Sequence, residues 1–99
     1  MKINIQYVQM ATSDSLSQII TKKLEKLYHK FNWIIKAEVF LKLGNSTSPE
    51  KQICEIELSA PGPRLFATST STNFEKAAVA TIKDLERQLR KRKQILKSH

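Results

Sequence analysis

The stretch TNFEKAAVATIKDLERQLRKRKQILK, residues 72–97, decides how this chain folds. Phe74, Ala78, Ile82, Leu85, Leu89 and Leu96 recur at helical spacing and form one apolar stripe. Lys76, Lys83, Arg87, Arg90 and Lys97 lie roughly opposite it. Thr72 and Glu75 have the spacing of a capping box, in which each side chain satisfies the other's free backbone amide, so the helix is predicted over about 73–97. Arg92 falls within the apolar stripe, where a charge over a sheet would be costly. The helix is therefore expected to run past the core from about Arg90 onward, leaving its basic end in water.

The apolar stripe needs a layer to cover, and the upstream sequence supplies one. Ile3, Ile5 and Tyr7 alternate with Asn4, Gln6 and Val8, the two-residue period of a strand with one buried face. Ser13 is a candidate N-cap and Asp14 a favourable first-turn charge for a helix over about 13–31, with Leu16, Ile19, Ile20, Leu24, Leu27, Tyr28 and Phe31 on its apolar side. Alternation returns over 35–43, with Ala37, Val39, Leu41 and Leu43 inward, and over 51–59, with Cys54, Ile56 and Leu58 inward. Turn formers fill 44–50, and the APGP segment at 60–63 reads as a tight reversal into a fourth strand with Leu65 and Ala67 inward.

The order is thus β-α-β-β-β-α. A helical connection between the first two strands suits a parallel pair, and the short later links suit antiparallel neighbours. The outward strand positions are polar, so both helices should cover the same face. The expected fold is α+β: a single domain over 1–99, with a four-stranded mixed sheet and two roughly parallel helices packed on one face.

The charge is distributed unevenly. The 99-residue chain carries 17 Lys and Arg against 9 Asp and Glu, a net +8. By segment the surplus is +1 over 1–12, +2 over 13–31, zero over 32–72 and +5 over 73–99, so the excess sits on the two helices. On the first helix Lys23, Lys26 and Lys30 share one flank, with Lys22 close behind, as one wall of a groove. From Lys76 to Lys97 there are eight bases and two acids, whereas a merely solubilising surface mixes signs. Lys and Arg at phosphate distance release counterions and bind nucleic acid in a salt-dependent way, so a polyanion is the expected partner.

Catalytic chemistry finds little to work with. His29 and His99 have no metal-site spacing, and two glycines cannot build a phosphate loop or a dinucleotide fingerprint. Glu38, Glu55 and Glu57 occupy outward strand positions, where a solvated face is the default reading and paired-carboxylate chemistry the alternative. Cys54 reads as a small buried hydrophobe. We expect no enzyme, no metal, no cofactor and no small-molecule substrate. No apolar run approaches the roughly 20 residues of a membrane span, and the apolar stripe of the second helix is needed for the core. Trp33 is expected to cap the end of that core. Outward aromatics are confined to Phe40 and Phe66, which favours recognition of RNA shape and backbone over base reading.

Lys23, Lys26 and Leu27, then Leu41-Lys42, and then Ala77 with Leu85-Glu86-Arg87-Gln88-Leu89 and Lys91 carry a resemblance that extends over essentially the whole chain. The chain resembles the short ribosome hibernation-promoting factors, also called ribosome-associated translation inhibitors or the YfiA-like family. The LERQL stretch followed by basic residues is its more specific part. The resemblance implies a domain shaped like double-stranded RNA-binding domains that docks on the small (30S) ribosomal subunit in stationary or stressed cells. Its basic helices would contact rRNA in the channel of mRNA and tRNA and inhibit translation by occupancy. It implies a cytoplasmic protein and, where ribosomes pair into dimers, a separate dimerising factor.

The matched basic positions are Lys23, Lys26, Lys42, Arg87, Lys91 and Lys93, and Arg90 and Arg92 extend the run. With Lys22, Lys30, Lys83 and Lys97 from the charge pattern, these make up the expected rRNA-binding set. Asn73-Phe74-Glu75 stands where the family often has Asp-Met-Tyr, and Asp84 where a Lys commonly precedes LERQL. The chain is expected to lack the C-terminal dimerisation domain of long members. The alternative reading is a free-standing module for other structured RNA.

Overall fold

In a computed structural model, which describes residues 1–44 and 51–97, the elements run β1 Lys2–Tyr7, α1 Asp14–Lys30, β2 Lys36–Leu43, β3 Gln52–Ser59, β4 Leu65–Ser71 and α2 Phe74–Lys97. The sheet order is β1-β2-β3-β4. β1 pairs parallel with β2, Ile5 opposite Val39. β3 runs antiparallel to both neighbours, with Ile56 opposite Val39 on one side and Ala67 on the other. This is the expected α+β domain. Of the turn segment expected over 44–50, residues 45–50 lie outside the described residues.

Each helix start has a local cause. Ser13 caps α1 by accepting from the Leu16 backbone N–H at 3.3 Å, and Asp14 adds negative charge at the positive end of the helix dipole. Tyr7 ties the end of β1 to this start, donating its hydroxyl to the Ser13 carbonyl at 2.7 Å. In α2 the cap differs from the expectation. Asn73 Oδ1 accepts from the Lys76 N–H at 2.8 Å, and the Asn73 carbonyl accepts from Ala77 N–H at 3.1 Å. Asn73 is therefore the N-cap, and with Lys76 rather than Glu three residues on, the capping box between Thr72 and Glu75 does not form.

Both helices lie on one face of the sheet. Ala37, Val39, Leu41, Cys54, Ile56 and Leu58 are fully buried beneath Ile20 and Leu24 of α1 and Ala77, Ala78, Leu85 and Leu89 of α2. Each buried Leu or Ile stabilises the fold by about 1.5–3 kcal/mol. Thr81, in the N-terminal third of α2, is the one fully buried polar residue among those described. Its hydroxyl is satisfied by the Ala77 carbonyl at 2.8 Å and the Cys54 carbonyl at 3.2 Å, which pins α2 to β3. Burial pushes the Cys54 thiol up to about 11, so it is an inert part of this core. Trp33 packs edge-on against Phe31, ring centroids 5.9 Å apart, and closes the end of the core.

One expected core position, Leu43, is exposed instead, and Leu96 is exposed as expected for a helix end that passes the core from about Arg90. Leu43 lies at the end of β2, beyond the cover of the helices, and Leu96 lies on the part of α2 that outruns the sheet. The lengths explain the second case: 24 helical residues span about 36 Å, whereas a strand of 8 spans about 26 Å. The last buried residue of α2 is Leu89, and from Arg90 to Lys97 only Arg92 is partly covered.

Candidate nucleic-acid interface

The parallel connection of β1 to β2 and the hairpin turns that follow bring α1 and α2 side by side, running in the same direction. Their facing walls enclose a groove of about 320 Å³ lined by Lys23, Lys26, Leu27 and Lys30 from α1 and Val79, Ile82, Lys83 and Glu86 from α2. The floor is apolar, continuous with the core, and four ammonium groups stand around one carboxylate. A concave surface with one sign of charge over a low-dielectric floor focuses its field and draws anions.

Outside the groove, Arg87 and Arg90 continue the cationic surface along α2, beside Lys83 and Glu86. Lys91 sits with Gln88 and Gln94 on the next flank. Lys93 and Lys97 are exposed on the projecting end. Lys23, Lys26, Lys83, Lys91, Lys93 and Lys97 have no acidic partner among the described residues. Arg87 approaches Asp84 at 3.4 Å, and Glu86 receives both Lys30, at 3.4 Å across the groove, and Arg90 one turn along the helix.

The structure does not bring all the expected residues together. Lys22 faces away from the groove, beside Gln18 and Glu25 on the far flank of α1. Lys42 is on the opposite face of the sheet, paired with Glu55 at 3.0 Å. Arg92 turns back into the protein and donates to two backbone carbonyls, at 2.7 and 2.8 Å.

Glu86 is the groove residue that the charge pattern passes over. Its contact with Arg90 follows from a four-residue spacing, but its contact with Lys30 depends on how the two helices are set against each other. The acids of the opposite face are engaged elsewhere. Lys36, at 2.9 Å, holds the Glu38 carboxyl below the usual carboxylate range, with help from Asn4, and Arg64 meets Glu57 at 2.8 Å. Among the described residues no cluster of His, Cys, Asp and Glu could hold a metal ion. No described helix is long and apolar enough to cross a membrane.

Residues 3–97 match the family described as Sigma 54 modulation protein / S30EA ribosomal protein. The chain belongs to that family. Its fold is similar to that of a ribosomal subunit interface protein from Coxiella burnetii, with a TM-score of 0.86 and 22% identity, covering 95% of this chain and 99% of that one. It is also similar to the N-terminal domain of Protein Y from Thermus thermophilus, with a TM-score of 0.78 and 22% identity, covering 92% and 98% of the two chains. Among curated protein sequences none matches significantly. At these identities the structural neighbours establish the fold, and the family rests on the sequence match over nearly the whole chain.

Proposed function

We propose that this S30EA-family protein binds the small ribosomal subunit through its two helices, contacts rRNA phosphates along the interhelical groove, and inhibits translation by occupying the channel of mRNA and tRNA. The observation that carries this reading is the groove itself: Lys23, Lys26 and Lys83 stand unpaired over an apolar floor in a chain of this family. Multivalent backbone contact of this kind suits a structured RNA, whose A-form helices are recognised by shape and phosphate rather than by base edges. The similar fold of a ribosomal subunit interface protein supports the same target. Inhibition needs occupancy alone, and no bond is made or broken. In this reading the protein is cytoplasmic and acts in stationary or stressed cells.

Sedimentation of a stationary-phase lysate through sucrose tests the proposal. At low salt the protein should travel with small subunits or whole ribosomes, and it should be released progressively as salt rises. Retention at the top of the low-salt gradient would exclude the ribosome as its target, and preference of the purified protein for free duplex RNA over ribosomes would point to another structured RNA.

A further inference from the structure

Past Leu89 no described residue of α2 is buried, and a helix end with little buried surface to hold it frays. Arg92 in this stretch is engaged with the body of the protein. Arg92 Nη1 donates to the Pro61 carbonyl at 2.7 Å and Nη2 to the Pro63 carbonyl at 2.8 Å, both in the turn between β3 and β4. The acceptors suit the donor. A guanidinium presents its N–H groups as a rigid planar fork that spans two oxygens, which the single ammonium of a lysine does not reproduce.

Gly62, between the two prolines, makes the approach feasible. Its φ is +96°, a conformation that side chains disfavour, and a Cβ at this position would lie 2.8 Å from Arg92 Nη1 and 3.3 Å from Cζ. The guanidinium therefore lies against bare glycine backbone. A side chain at residue 62 would push it off both carbonyls.

We propose that Arg92 and the turn Pro61-Gly62-Pro63 form a latch that fixes the direction of the cationic end of α2, making Arg92 a positioning residue rather than a phosphate ligand. Lys91, Lys93 and Lys97 then reach the RNA already ordered, and binding avoids the entropy of immobilising a frayed turn. The consequence for binding rests on the ribosome reading above. The latch itself does not.

The test uses the whole protein and three variants, Arg92→Lys, Arg92→Ala and Gly62→Ala, with two readouts: amide hydrogen exchange of the free protein and ribosome affinity across a salt series. Arg92→Lys keeps the charge, and Gly62→Ala removes no cation. Both should speed exchange over residues 91–97 by about tenfold, leave residues 78–89 protected, and weaken ribosome binding about three- to tenfold with an unchanged salt slope. Wild-type exchange and affinity in Arg92→Lys would overturn the proposal. So would an Arg92→Ala protein with wild-type exchange and a salt slope lower by about one, the signature of a single lost phosphate contact. If Gly62→Ala fails to fold, Arg92→Lys decides alone. If the wild-type protein does not bind ribosomes, the functional reading falls while exchange still decides the latch.

Discussion

The two faces of this sheet carry charge in different ways. On the open face, Lys36 pairs with Glu38, Lys42 with Glu55 and Arg64 with Glu57. On the helical face, Lys23, Lys26 and Lys83 line a groove whose one acid, Glu86, already serves Lys30 and Arg90. The same residue types are neutralised in place on one side and left for an outside partner on the other. Exposed pairs of this kind contribute only about 0.2–1 kcal/mol, so the open face gains little stability from them. What it gains is near-neutrality, which keeps the field of a +8 protein concentrated on one side. Under the proposed function, that field directs a polyanion to the helices.

The largest effect is expected where the comparison is strongest. Replacing Lys23, Lys26 and Lys83 together by Ala should weaken ribosome binding on the order of 100-fold at ~100 mM salt and lower the salt slope by about two to three. The thermal midpoint should hold, since these ammonium groups make no ion pair within the described residues. Wild-type affinity in this triple variant would break the distinction between the faces.

A smaller change sharpens it. Glu86→Gln releases Lys30 and Arg90 from their shared carboxylate, and the affinity of ribosomes for the variant should rise about two- to fivefold at low salt, with a steeper salt slope. Loss of affinity would instead assign Glu86 the task of aligning those cations.

The smallest effects belong to the open face. Lys42→Ala should leave ribosome affinity within about twofold and stability within about 1 kcal/mol, as denaturant melts and the same binding assay would read. Lys36→Ala should bring the Glu38 carboxyl up toward the ordinary carboxylate range in an NMR titration. The sign follows from the pairing. A carboxyl held below its ordinary pKa adds stability above that pKa and loses it as pH falls through the folded value, so the variant should show less acid-side loss than the wild type. A Glu38 that already titrates in the ordinary carboxylate range in the wild type would mean that the pair does not form in solution.

Much of this architecture could be read residue by residue. Alternation at Ala37, Val39 and Leu41 and at Cys54, Ile56 and Leu58 marks two strands with one buried face, and the structure buries all six completely. Such patterns are legible because burial acts on neighbours two or four positions apart, within the reach of a local window. The α2 cap was misassigned because Thr72 and Asn73 are both competent caps, and only the backbone geometry selects Asn73. Leu43 continues a periodicity that outlasts the surface beneath it, whereas the charge of Arg92 in the apolar stripe marked where that surface ends for α2.

The candidate site divides along the same line. Lys23, Lys26 and Lys30 share a flank by helical arithmetic alone, and they do line the groove together. Lys22 and Lys42 are as basic as the others, yet they end beside Glu25 and Glu55 on other surfaces. Arg92 shows the difference most clearly. Its place in the apolar stripe correctly marks a conflict between charge and burial, which we expected to be relieved by a helix running free in water. It is relieved instead by two carbonyls about 30 residues away in sequence, 2.7 and 2.8 Å from the guanidinium.

The sequence by itself determined the element order, the buried stripes and the concentration of positive charge on two helices, because periodicity and composition are local properties. The tertiary structure alone decided which cations face one another and which are neutralised by a partner distant in the chain. Those outcomes depend on strand register and helix placement, which bring together side chains such as Lys30 and Glu86, or Arg92 and Pro61, that no sequence window contains.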